Sequence, residues 1–166
     1  MTRGLALPYE VILLGAGRLD LPTLCSFLRA LPQVATLLSP VYFSIRDESG
    51  NSILHILAGE GEYKLLLQAL KSRGASPGMK NKDMDAPFSL AVSRGYLLVV
   101  QTLLHRIDVD ANFTNDMGKT LLHLASLSGQ ESILDLLTHW PGTDINKKDK
   151  HGQTAVSLAA ENGQER

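Results

Sequence analysis

Apolar and polar positions recur along residues 52–163 with a period longer than that of any single helix or strand. Four segments, SILHILAGEG from Ser52, APFSLAVSRG from Ala86, TLLHLASLSG from Thr120 and TAVSLAAENG from Thr154, align at a constant step of 34 residues. The glycines that close them, Gly61, Gly95, Gly129 and Gly163, keep the same step. In each segment, apolar residues at Leu54/Phe88/Leu122/Val156 and Ile56/Leu90/Leu124/Leu158 predict a short helix. Small residues follow at Ala91, Ala125 and Ala159, where neighbouring helices approach closely; Leu57 is the exception. A second helix is predicted after each of the first three glycines, with apolar columns Leu65/Val99/Ile133, Leu66/Val100/Leu134 and Ala69/Leu103/Leu137 on one face. A lone helix pair cannot bury such a face, whereas stacked pairs can, so the pattern predicts an all-α solenoid.

Turn chemistry separates the helix pairs. Asp47, Asn81, Asn115 and Asp149 stand five residues before each segment, and Gly50, Gly118 and Gly152 follow three residues after their Asx partners. Asx side chains bond the backbone just ahead of them and glycine accepts positive φ, which together predict tight β-turns. The second copy has Met84 in place of the glycine. Ser or Thr at 52, 120 and 154 is placed to cap the first helix of its copy.

The stretch before the repeats begins differently. Residues 11–17 read VILLGAG, which resembles a strand entering a phosphate loop, but the third glycine of a dinucleotide fingerprint is replaced by Asp20 and no βαβ unit follows. Helices explain the region better. One is expected over 9–16 and a second from Leu21-Pro22, capped by Asp20 and burying Leu24, Phe27, Leu28 and Leu31. A third starts at Pro32 and contains Val34, Leu37 and Leu38.

The repeat resembles the ankyrin repeat, whose Thr-Pro-Leu-His and Ala-Ala-x-x-Gly elements are echoed by GKTLLHLASLSG at 118–129 and GQTAVSLAAENG at 152–163. The resemblance implies a protein partner held in a concave groove formed by turn tips and first helices. Those positions are Glu48, Ser49 and Asn51; Lys82, Asp83 and Asp85; Asp116, Met117 and Lys119; and Lys150, His151 and Gln153. Ser93, Arg94, Leu127 and Ser128 extend the surface from the helix ends. The second helix of the fourth copy would begin near Arg166, so apolar surface near Leu158 is expected to lack its cover.

The segment LALPYEVILL at 5–14, followed by LDLPTLCSFLRALPQVATLL at 19–38, is similar to an F-box, with Leu7, Pro8 and Glu10 matching its Leu-Pro-x-Glu opening. The order of F-box and ankyrin repeats resembles a class of proteins found in filamentous fungi. The expected layout is therefore a short three-helix F-box-like segment over 5–40 and ankyrin repeats over 41–166. By that resemblance Leu7, Pro8, Leu13, Leu14, Leu21, Pro22, Leu24 and Leu28 would contact a Skp-type adaptor, making the chain a substrate receptor of a cullin-type ubiquitin ligase. The competing expectation is that the same helices only cap the first repeat, because a solenoid end needs its apolar face covered.

Composition narrows the alternatives. Sixteen basic against 17 acidic residues give no field that would attract nucleic acid or an anionic membrane. No run approaches the roughly 18 apolar residues of a bilayer span. Pro8, Tyr9 and Glu10 break the N-terminal apolar stretch, so an export signal is not expected. The single Cys25 favours a reducing compartment, cytoplasm or nucleus. No cofactor, metal site or catalytic residue is expected, since no Ser/His/Asp, Cys/His or paired-carboxylate spacing converges on one site; an enzyme reading stands third, behind adaptor and scaffold. A monomer is expected. His55 and His123 share a column with Ser89 and Ser157, which points to a side chain bonding backbone between repeats rather than a metal ligand. His105 and His139 are placed to sit at second-helix C-termini. The sequon Asn112-Phe113-Thr114 and the cluster Lys147, Lys148 and Lys150 read as ordinary turn chemistry.

Overall fold

The computed structural model describes residues 20–38, 40–106 and 110–163. The expected first helix, with Leu7, Pro8, Leu13 and Leu14, lies outside them. Helix α1 spans Leu21–Ala30, started by Asp20, whose Oδ1 accepts from the Thr23 N–H at 3.0 Å, with Pro22 in the first turn where no N–H is required. The third expected helix is instead a 3₁₀ turn over Pro32–Leu37, followed by the short α2, Pro40–Ser44, which buries Tyr42 and Phe43. Pro40 sets this division, because its ring removes the N–H that a continuous helix would need.

The repeats follow as α3 (Ile53–Gly59) and α4 (Tyr63–Ala69), α5 (Pro87–Ser93) and α6 (Leu97–Leu104), α7 (Leu121–Leu127) and α8 (Glu131–Thr138), and then α9 (Ala155–Glu161). No strand occurs among the described residues. Among the described residues, successive first helices pack on one another, and the first three also pack on their own second helices, so the main contacts join neighbouring repeats. Leu54, Phe88 and Leu122 are each at most 2 % exposed, whereas their counterpart Val156, on the last helix, is 66 % exposed; Leu158 is buried. Leu57, the departure from the small-residue column, is fully buried against its surroundings.

At the other end, α1 and the 3₁₀ turn lie on the first repeat. Leu21, Leu24 and Leu28 belong to the same continuous core as the repeat helices. The Ser72 hydroxyl donates to the Ala35 carbonyl at 3.1 Å, tying the 3₁₀ turn to the segment after α4. The described part of the N-terminal segment therefore shares its core with the repeats.

Candidate protein-binding groove

The turns that carry the predicted groove residues are built alike. Asn81 Oδ1 accepts from the N–H groups of Asp83 and Asp85, Asn115 Oδ1 from those of Met117 and Lys119, and Asp149 Oδ1 from those of His151 and Gln153, all between 2.8 and 3.1 Å. Asp47 plays the same part for Asn51 at 2.8 Å. Successive tips are then joined by backbone: the Lys82 N–H donates to the Ser49 carbonyl at 3.0 Å and the Lys150 N–H to that of Met117 at 3.1 Å. Gly50 and Gly118, both at positive φ, permit this approach, since a Cβ on either would lie 3.0–3.1 Å from the incoming amide nitrogen.

The second tip breaks the rule. Met84 occupies the glycine position with φ at +60°, and no bond joins Asp116 to the Asp83 carbonyl among the described residues. A left-handed conformation costs a residue with a Cβ roughly 1–2 kcal/mol. Met84→Gly is accordingly expected to raise stability by about 0.5–1 kcal/mol after the greater entropy of an unfolded glycine is subtracted. Urea denaturation followed by circular dichroism measures it, and an unchanged or lower midpoint would contradict the strain.

The histidine column confirms its structural reading. His55 Nδ1 accepts from the Ser52 backbone N–H at 3.1 Å, and Nε2 reaches the Asp85 carbonyl of the next turn at 3.0 Å. His123 repeats this with Thr120 at 3.1 Å and the Gln153 carbonyl at 3.0 Å. These bonds require the Nε2–H tautomer. Among the described residues, Ser89 makes no bond to the next turn, and Ser157, on the last described helix, bonds locally to Thr154. The junction between second and third repeats thus lacks both the tip-to-tip bond and the histidine bridge.

Burial, above all, lowers the pKa of His55, with Arg46 adding repulsion; the bond to the Asp85 carbonyl and the nearby Asp47 only partly oppose this. The unfolded chain therefore takes the proton first, and stability falls as pH drops below the ordinary value of about 6.5. His55→Gln is expected to show a shallower loss of stability than the parent between about pH 7.5 and 5.5. Parallel urea titrations at the two pH values would reveal an equal slope if this is wrong.

Below the tips, α1, α3 and α5 border a half-open cavity of about 330 Å³, lined by Pro22, Cys25, Ile56 and Leu90 among others and edged by Arg29 and Arg94. Burial, aided by the neighbouring Glu60, pushes the Cys25 thiol up to about 11, so it stays protonated and inert at neutral pH. Arg29 binds Glu60 and, at 3.0 Å through Nε, Glu62. Arg94 Nη1 donates to the Gly59 carbonyl.

The predicted groove residues divide by exposure. Glu48, Ser49, Lys82, Asp83, Asp116, Met117, Lys150 and His151 are exposed, and Asn51, Asp85, Lys119 and Gln153 are half-buried at the bases of the turns. Asn51 Oδ1 accepts from Asn81 Nδ2 at 2.9 Å, and both Asn51 and Arg94 border the cavity. Sequence reasoning missed Ile56 and Leu90, which it assigned to an apolar column without marking them as groove residues; they are half-buried and line the cavity. Their place one residue before the tightly packed column Leu57/Ala91 was the available signal. Of the adaptor-contact candidates, Leu21, Leu24 and Leu28 are at most 2 % exposed, while Pro22 is exposed.

Other residues resolve into structural roles. Asn112 Nδ2 donates to the Gly142 carbonyl at 2.8 Å and Oδ1 accepts from the Asp144 N–H at 2.7 Å, an engagement that glycosylation would break. Lys147 Nζ reaches the Asn112 carbonyl at 3.3 Å. His105 and His139 each cap a helix, donating from Nδ1 to the carbonyls of Gln101 and Asp135 at 2.6 and 2.8 Å. Among the described residues no group of three His, Cys, Asp or Glu is placed to hold a metal ion, and no helix is long and apolar enough to cross a membrane.

A family model of ankyrin repeats in three copies matches residues 54–149 and again 88–166. The chain belongs to the ankyrin repeat family. Its relatives are diverse. Transient receptor potential cation channel subfamily A member 1 of Homo sapiens is 30 % identical over 91 residues, covering 55 % of this chain and 8 % of that protein. Its Caenorhabditis elegans homolog is 34 % identical over 90 residues, 54 % of this chain and 7 % of that one. Synphilin-1 of Mus musculus is 30 % identical over 92 residues, 54 % of this chain and 10 % of its own length. The chain thus spans a tenth or less of the length of these relatives. Ankyrin repeats form a protein–protein interaction module, and the all-helical stack of paired helices and turns is that of the family.

Proposed function

We propose that the chain is a non-catalytic, monomeric adaptor of a reducing compartment, cytoplasm or nucleus, which holds a protein partner across its turn tips and first helices. The observation that carries this reading is the row of tips locked by Asx bonds, which presents exposed side chains of both charges above a partly apolar cavity. A mixed surface with an apolar centre suits a polypeptide better than nucleic acid. The test selects binders from a displayed random peptide library on the full chain and measures the strongest by calorimetry. Met117→Asp at a tip is expected to weaken binding about tenfold or more, whereas Leu98→Asp on the exposed side of α6 leaves it unchanged. Failure to obtain saturable binders, or equal losses from both variants, would overturn the groove.

Burial of Leu21, Leu24 and Leu28 supports α1 as a cap over the first repeat. The second reading, docking of a Skp-type adaptor as part of a cullin-type ubiquitin ligase, is favoured by the Leu7-Pro8-x-Glu10 opening. It would have to use Pro22 and residues outside the described ones, or release α1 from the core. Calorimetry with a Skp-type adaptor against the parent chain, Pro8→Ala and Pro22→Ala separates the two: the cap predicts no saturable heat, and binding weakened by either variant would establish docking.

A further inference from the structure

We infer that the cavity between α1, α3 and α5 receives an aliphatic side chain of the partner polypeptide, with an adjacent Asp or Glu carboxylate of that partner seated on Arg94. This rests on the groove reading and specifies the partner's chemistry. The cavity's volume of about 330 Å³ is ample for one aliphatic side chain with its flanking backbone, and Pro22, Ile56 and Leu90 offer it carbon on three sides. Charge decides what accompanies it. Glu60 and Glu62 are already engaged by Arg29, so the carboxylates at the rim are held. Arg94 is exposed, its Nη1 bonds the Gly59 carbonyl, and no carboxylate pairs with it among the described residues. A guanidinium fixed at one nitrogen and open at the others presents a planar fork that fits a carboxylate in two parallel bonds. The remaining polar groups of the wall are not competitors. His55 has both ring nitrogens occupied and Cys25 keeps its proton. Because α1 forms one wall, the pocket exists only while the N-terminal helix caps the array.

Peptides selected on the parent chain from a random displayed library are expected to carry Asp or Glu beside Leu, Ile, Val or Met. The same selection on Arg94→Glu is expected to favour Lys or Arg at that place, and parent-selected peptides should bind this variant about tenfold more weakly or worse. Ile56→Trp, which fills the cavity and keeps the Arg94 charge, should weaken the same peptides by a similar factor, and circular dichroism verifies that both variants remain folded. If selected peptides lose affinity with Met117→Asp but are indifferent to Arg94→Glu and Ile56→Trp, the cavity proposal falls while the groove stands. If no peptide binds, both fall, and self-association of the chain that Ile56→Trp abolishes would replace the partner with a second copy.

Discussion

Phe88→Ala is expected to lower stability by about 3–5 kcal/mol, a large part of the 5–15 kcal/mol available to a typical domain. Phe88 is 2 % exposed on α5, the helix that packs against both α3 and α7. Its truncation opens a void at the centre of the array, where both neighbours are rigid helices with little freedom to collapse. The site is also the one junction where apolar packing acts with the least polar help: Ser89 replaces the bridging histidine, and Met84 replaces the glycine that lets tips join. Denaturant unfolding monitored by circular dichroism should show a lowered midpoint, with a broken or two-step transition if the halves separate. A loss below about 1 kcal/mol would mean that the aromatic ring is not what holds the junction.

Leu24→Asp should cost at least about 3 kcal/mol, because the carboxylate would be buried with no cation or donor to meet it. Leu24 has no exposed surface, and α1 contacts both the 3₁₀ turn and α3. The expected result is release of α1, with amide exchange accelerating first in α3 and α4. Exchange that rises uniformly over all repeats would instead mean that the array unfolds as one unit. This variant consequently cannot serve by itself as a probe of adaptor docking. Any loss of binding it causes would follow from losing the cap, which is why exposed Pro22 is the informative position.

The repeat architecture was legible because a single spacing governs turn, cap and apolar face together, and each column has a distinct physical requirement. Asn81, Asn115 and Asp149 had to accept backbone N–H groups, and they do so with the same atom in the same way. The histidine bridge was readable for the same reason. The substitution of serine for histidine was read too generously, since hydrogen-bonding capacity was weighed without reach. The short α2 escaped because Pro40 both ends one turn and begins another, a distinction that depends on how the segment docks. The cavity escaped for a different reason. It is made by residues from α1, α3 and α5, which stand far apart in sequence, and the one-residue difference between Ile56 and Leu57 decides which faces it. Burial along a helix turns by about 100° per residue, so an apolar column alone does not say how deeply it is buried.

The unequal ties between turn tips give the array a mechanical character. Backbone bonds clamp the first tip to the second and the third to the fourth, and histidine bridges brace the same two steps from beneath. The step between them carries neither. Helix packing and a side-chain bond between Asp85 and Asn115 are left to hold that step, so the array is expected to bend there more easily than at its neighbours, within the span from Ser49 to His151 that a partner would cover.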